Sequence, residues 1–350
     1  MIVRNEEKII GRCLDSVKGI FDEIIIVDTG STDNTKEIAS KYTSKIYDFK
    51  WIDDFSAARN FSFSKATQEY VFWLDADDII KEEDRLKLLK LKETMSKDVD
   101  IVLMKYNLTS ELGGDVICTF PRERLLKREK NYIWHDYVHE YIVLSGNVIN
   151  VDIAITHVST HKHSTRNLDI LEKIISEGKE LSNRNKFYYA RELFINKRYN
   201  DAIPYYIEFL DSSGGLPSNY LDSCLDLAYC YKEQNDQKNR LKALIRSFEY
   251  DAPHAETCCR LGYYYKDLQE YKKAISWFAV ATNLKKPEGN TTSVTHSCWG
   301  YIPYMEMCSC YYKLKQYKQA FICNKKAGEY KPNDPVYLHN KKTFEKMFNI

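Results

Sequence analysis

No uninterrupted apolar stretch in this chain approaches the roughly 20 residues that a bilayer-spanning helix needs. The opening MIVRNEEKII carries a basic residue but no apolar signal core behind it, so the expected location is cytoplasmic. Net charge is also lacking. Lys+Arg 51 against Asp+Glu 50 leaves +1, which argues against a nucleic-acid surface and against an electrostatic membrane anchor. None of the ten cysteines forms a CxxC pair, and most fall in helix-like segments such as SCLDLAYCYK and MEMCSCYYK. They read as reduced, small core residues rather than as a disulfide framework. A Gly-rich basic loop near the N-terminus, which a nucleotidyltransferase would use for phosphates, is absent as well.

What is present divides in two. A length of 350 residues fits two domains, and 44% hydrophobic with 29% charged residues is enough for real cores. Up to about residue 160, β-like runs (DEIIIVD, EYVFWLD, DIVLMKYNL) alternate with helix-like ones (EEKIIGRCLDSVKG, TDNTKEIASKY, EEDRLKLLKLKETM), the pattern of an α/β layer fold. After about residue 186 the strands vanish and the 27 tyrosines concentrate. There, small residues Ala190, Ala228, Gly262 and Cys308 are each followed three positions later by Leu193, Tyr231, Tyr265 or Tyr311. Twelve positions after each small residue stand Ala202, Arg240, Ala274 and Ala320, and Pro253, Pro287 and Pro332 close three units. These offsets match the tetratricopeptide repeat, whose small residues let paired helices approach closely. Four units are expected, near 183–218, 221–254, 255–287 and 301–334, with Arg240 as the departure and an inserted loop at PEGNTTSVTHSCWGYIP. The expected domains are 1–180 and 181–350.

The first half carries the candidate chemistry. EIIIVDTGSTDNT reads as a strand ending in Asp28, a turn, and a helix for which Ser31 or Asp33 is available as cap. Ligands of open α/β sheets bind beyond the carboxyl ends of strands, which suits Asp28 to a ribose or base edge and equally to plain turn formation. FWLDADDII repeats the geometry with more charge. Alternation along a strand would put Asp75 and Asp77 on one side, half a site for Mg²⁺ or Mn²⁺. Asp78, Glu82 and Glu83 read instead as acid at the N-terminus of the following helix. Five of the eight histidines lie between His135 and His163. Zinc at His157, His161 and His163 is disfavoured because no cysteine lies between Cys118 and Cys224, and one histidine completing the Asp-rich site is more economical.

Four blocks in order, MIVRNEEKIIGRCLDSV, DEIIIVDTGSTDNT, WIDDFSAARNFS and YVFWLDADD, resemble the inverting family 2 glycosyltransferases with a GT-A fold. The resemblance covers about residues 1–175. The whole layout is similar to the bacterial subgroup that carries tetratricopeptide repeats behind the catalytic domain, including peptide S-glycosyltransferases and flagellin O-glycosyltransferases. It implies an α/β GT-A domain, Rossmann-like with a mixed, mostly parallel sheet, followed by an all-α repeat domain. By the same resemblance Asp77 would bind Mn²⁺ or Mg²⁺, and Asp75, with Ala76 beside it, would reach the ribose or a metal-bound water. Val3, Arg4 and Glu6 would line the nucleotide base, Asp28 would contact base or ribose, and Asp54, Arg59 and Asn60 would approach the ribose and diphosphate. His139 and Glu140 match the His-Glu block on the acceptor side, and His157 the closing histidine that contacts the metal.

The implied reaction moves a sugar from a nucleotide sugar, with UDP-glucose or UDP-GlcNAc favoured, to a Ser/Thr or Cys side chain of a peptide or protein. Glu140 is the expected general base, with Asp136 and His139 as alternatives, and WHDYVHEYIV as a mere strand edge is the plain reading. Implied partners are the UDP-sugar donor, a peptide or protein acceptor and a second copy through the repeats, with no nucleic acid and no membrane span. A repeat scaffold with an inactive transferase-like domain stands as the alternative, although no expected acidic position is missing.

Overall fold

The computed structural model describes residues 1–109, 116–158, 164–213, 215–285 and 294–349. Its described residues divide into two compact units, one of 1–180 with Val294 and one of 181–285 and 295–349.

In the first unit, strands β1 (Ile2–Val3), β2 (Ile26–Asp28) and β3 (Ile46–Asp48) form a parallel sheet in the order β1-β2-β3. Parallel neighbours need crossovers, and α1 (Ile10–Ser16) and α2 (Thr35–Ser40) supply them. Helix α3 (Phe55–Ser64) leads to β4 (Tyr70–Phe72), then β5 (Asp78–Ile79), α4 (Glu82–Thr94), β6 (Ile101–Thr109) and β7 (Val116–Lys127). A small hairpin, β8 (Trp134–His135) and β9 (Tyr141–Ile142), precedes β10 (Val148–His157) and α5 (Arg166–Ser176). The second sheet is mixed: β10 runs parallel to β6, while β6–β7, β4–β7 and β10–β5 are antiparallel.

Two apolar layers flank this sheet. Cys13, Val17, Leu74, Leu88, Val102, Met104 and Ile155 pack on one face, and Trp73, Ile101, Leu126, Trp134 and Ile142 on the other. Burial on both faces leaves the strand ends as the place where polar groups can gather. The register Thr156↔Ile79 and His157↔Asp78 does that by bringing the end of β10 to the Asp-rich turn.

The second unit consists of helix pairs α6–α7 (Asn183–Ile195, Tyr199–Leu210), α8–α9 (Pro217–Glu233, Gln237–Arg246), α10–α11 (Ala255–Asp267, Tyr271–Asn283) and α12–α13 (Tyr301–Lys313, Tyr317–Tyr330). Helix α14 (Pro335–Phe348) follows, its Phe344 buried in the same core as Phe278. A Cβ on Gly262 would stand 2.5 Å from the Phe278 ring, which is why a glycine sits at that repeat position. Arg240, which occupies an alanine position of the pattern, is 5% exposed, pairs with Asp267 at 2.9 Å and lies over the Tyr264 ring. A buried guanidinium is tolerated there because a carboxylate meets it. All ten cysteines are free and nine are buried. Among the described residues no helix is long and apolar enough to cross a membrane.

Candidate active site

A cavity of about 650 Å³ opens beyond the strand ends of the first unit. It is lined by Val3, Arg4, Glu6, Arg59, Asp75, Ala76, Asp77, His139, Glu140 and His157 among the sequence-predicted residues. Four others lie off it. Asp28 is 2% exposed, and its Oδ1 accepts from the backbone N–H of Gly30 and Ser31, both at 2.9 Å, while the buried Oδ2 has no partner. Asp54 is the N-cap of α3, accepting from Ala57 N–H at 2.9 Å and from the Ser56 hydroxyl at 2.8 Å. Asn60 braces the β8–β9 hairpin, donating to Trp134 O at 3.0 Å and accepting from Trp134 N–H at 2.8 Å. Asp136, in the left-handed region with φ 74°, sits in that hairpin's turn outside the lining. Nor does Ser31 or Asp33 stand at the N-cap of α2. Asn34 does, and Asp33, one residue earlier, accepts from Thr35 N–H at 3.0 Å and Glu7 N–H at 3.1 Å.

The Asp-rich stretch is a turn rather than a strand end, so alternation does not govern its side chains. β4 stops at Phe72, and Ala76-Asp77 turns the chain into β5. As a result Asp75 and Asp77 part company. Asp75 Oδ1 accepts from Arg59 Nη2 at 2.9 Å, whereas an oxygen of Asp77 gathers with Asp78 and His157, their ligand atoms all within 4.8 Å of one another. Asp78 is therefore not helix-terminal acid. It is fully buried, because its carboxylate accepts from Arg124 Nη1 at 3.0 Å, Asp75 N–H at 3.1 Å and Tyr106 O–H at 2.9 Å. Burial alone would raise its pKa, but Arg124 and these donors bring it below the ordinary carboxylate value.

Arg59 is held on both sides. It donates from Nε to Glu140 Oε1 at 2.5 Å and from Nη2 to Asp75, with its guanidinium about 5 Å from the Trp73 and Trp134 rings. Burial would raise the Glu140 pKa, yet Arg59 lowers it. Asp75 goes the other way: burial pushes its pKa up, and Arg59 only partly opposes this.

His157 tests whether a divalent cation fits. Its Nδ1 lies 3.3 Å from Asp77 Oδ1 and 3.6 Å from Asp78 Oδ1, yet it is buried without a well-aligned hydrogen bond. Burial would lower its pKa, but the carboxylates outweigh burial and raise it to about 10. A buried, unaligned nitrogen beside carboxylates fits a metal site with O and N ligands. His161 and His163 lie outside the described residues.

The site also contains residues that sequence reasoning missed. Arg122, Arg166 and Tyr106 line the cavity, and Arg124 lies beneath it. Arg122 and Arg124 both reach the Trp73 ring from PRERLLK, across a register shift of β7 at Arg124 that simple alternation does not foresee.

Residues 1–149 match the Glycosyl transferase family 2 model and residues 255–287 the Tetratricopeptide repeat model. The family 2 glycosyltransferase match thus falls on the unit that holds the cavity, and the tetratricopeptide match on the helix pair α10–α11 of the other unit. It is similar to the SPbeta prophage-derived glycosyltransferase SunS of Bacillus subtilis, 28% identical over 70% of this chain and 56% of that protein. The lipopolysaccharide core biosynthesis glycosyltransferase LpsC of Rhizobium meliloti is 29% identical over 43% of this chain and 58% of that one. A TPR repeat-containing protein of Synechococcus elongatus is 49% identical over 22% of this chain and 19% of that one. The chain spans little more than half the length of SunS and of LpsC.

Proposed function

We propose that this protein is a metal-dependent inverting glycosyltransferase that moves a sugar from a nucleotide sugar, a UDP-sugar such as UDP-glucose or UDP-GlcNAc, to a Ser/Thr or Cys side chain of a peptide or protein. The observation that carries the reading is the grouping of Asp77 with His157 at the rim of a cavity that also presents Arg4, Arg166 and Glu140. Mn²⁺ or Mg²⁺ held by Asp77 and His157 would neutralise charge that develops on the leaving diphosphate.

The rest is the work of side chains. Val3 and Ala76 give the donor a close-packed wall, Arg4 and Glu6 offer polar contacts to the base, and Arg166 is a cation available to phosphate. Asp75, fixed by Arg59, faces the ribose. In a single displacement the acceptor oxygen or sulfur bonds to the anomeric carbon as the carbon–oxygen bond to the diphosphate breaks, the electron pair leaving with the phosphate. The acceptor proton passes to a carboxylate. Glu140 is that base in this reading, through Oε2, since Oε1 is engaged by Arg59. The repeats would recruit the acceptor protein or a second copy of the chain.

The test is a panel of nucleotide sugars incubated with purified protein and Mn²⁺, read by hydrolysis and thermal shift. Selective stabilisation by UDP-sugars supports the donor class. No response to any sugar nucleotide refutes the reading.

A further inference from the structure

The distances around Asp77 allow three protein ligands, and Asp78 is the one whose two oxygens both already accept from protein donors. The cation that meets it is Arg124. Neither side chain has any exposure, the guanidinium lies 3.8 Å from the centre of the Trp73 ring and 4.4 Å from that of Tyr106, and the same Nη1 also donates to Trp73 O at 3.2 Å. The pair therefore fixes the entry to the Asp-rich turn, at the Trp73 carbonyl through Arg124 and at the Asp75 N–H through Asp78. Asp77, by contrast, keeps 16% of its side chain exposed and faces the cavity.

We infer that Arg124 is a positioning residue: its buried pairing with Asp78 withholds that carboxylate from the cation and leaves Asp77 and His157 as the protein ligands. The inference rests on the metal-dependent transferase reading. Its physical sense lies in the number and charge of the ligands. Mg²⁺ and Mn²⁺ in phosphate-transfer sites are held by one or two protein carboxylates, with waters and substrate phosphates filling the remaining positions. A second carboxylate from Asp78 would hold the ion more tightly, and its negative charge would offset part of the ion's pull on the donor diphosphate. A buried, unpaired Asp78 would also be costly, which makes the arginine necessary for the fold of the turn as well.

Mn²⁺ binding to the full chain without donor separates these roles, measured from free Mn²⁺ by electron paramagnetic resonance for wild type, Arg124→Met, Asp78→Asn and the double variant. Freed of its partner in Arg124→Met, Asp78 should bind the ion. Mn²⁺ affinity should then rise by about tenfold while kcat falls by at least as much, a combination that simple damage to the fold would not produce. Asp78→Asn and the double variant should bind Mn²⁺ within about twofold of wild type, since neither loses a ligand. The double variant removes both charges together, so it keeps the test decisive if either single variant fails to fold. A tenfold weaker Mn²⁺ affinity in Asp78→Asn or in the double variant would make Asp78 a ligand and overturn the inference. Equal affinities for Arg124→Met and the double variant would overturn it too. Failure of the wild type to bind Mn²⁺ is a different result: it refutes the metal reading itself and the inference with it.

Discussion

Replacing Arg59 by Met keeps most of the side-chain volume between Trp73 and Trp134 but removes the charge that Asp75 and Glu140 share. Breaking a buried pair by deleting one partner costs about 3–5 kcal/mol, largely because the remaining charge is left uncompensated. The Asp75 half is worth less, since that side chain is 33% exposed and water screens it, whereas Glu140 is only 11% exposed. We therefore expect a loss of about 3 kcal/mol near pH 7.5, a large share of the 5–15 kcal/mol available to a domain. The loss should depend on pH. In the wild type the Glu140 pKa is lowered, so the stability it contributes is full above its unfolded value and is lost as pH falls through the folded one. In the variant, burial without Arg59 raises that pKa, so stability is lost as pH rises through the raised value. The deficit should shrink by about 1 kcal/mol or more between pH 7.5 and pH 5. Urea unfolding followed by tryptophan fluorescence reads this, with Trp277 and Trp299 changed to Phe in both backgrounds so that only first-unit tryptophans report. A deficit below about 1 kcal/mol, or one that does not change with pH, would refute the reasoning.

Further expectations concern catalysis and the repeats. Asp77→Ala should abolish metal-dependent turnover while leaving the unfolding transition in place; turnover that persists in excess chelator would show that no metal is used. Glu140→Gln can still accept from Arg59 but takes no proton, so donor affinity should persist while transfer to a hydroxyl acceptor falls by about 10²-fold or more. Wild-type transfer by that variant would move the base to His139, which also lines the cavity. With Glu140 held below the usual carboxylate range by Arg59, no acid limb due to this group should appear in kcat/KM above about pH 4.5. Phe278→Ala should destabilise the repeat unit by about 3–5 kcal/mol, because the ring is fully buried against Gly262; a loss under about 1 kcal/mol by calorimetry would contradict that packing.

The repeats were legible because their signal is periodic. Ala190, Ala228, Gly262 and Cys308 all fall where paired helices meet, and each is buried or lies in a core helix. The α/β half was legible in its strands and crossovers for the same reason. What the sequence concealed is where a polar side chain spends its hydrogen bonds. Asp54 and Asn60 stand in the DDFSAARN block that resembles a nucleotide-binding segment, yet one caps α3 and the other braces the β8–β9 hairpin. A cap and a ligand contact require the same residue types, so spacing does not separate them. The Asp-rich turn misled in another way, because a period of two applies only while the strand continues and β4 ends at Phe72.

The gathering of carboxylates at this turn is a question of charge, and partners from distant strands and helices answer it. Four carboxylates meet at this turn: Asp75, Asp77 and Asp78 within it, and Glu140 joined to Asp75 through Arg59. Arg59 meets Asp75 and Glu140, and Arg124 meets Asp78, so three of the four are paired with arginine. Asp77 is the fourth. Among the described residues its nearby cation is the His157 imidazole, a group that can give up its proton to a metal, whereas arginine keeps its charge. The arginines thus make the turn stable without an ion, and in the metal-dependent reading Asp77 and His157 are the groups that would hold one. In that reading the two tasks fall to different carboxylates of the stretch Trp73 to Asp78: Asp75 and Asp78 are paired with arginine, and Asp77 would face the ion. Arg59 variants should therefore report on folding, whereas Arg124→Met should report on folding and on the cation together, because it unpairs Asp78 and frees its carboxylate.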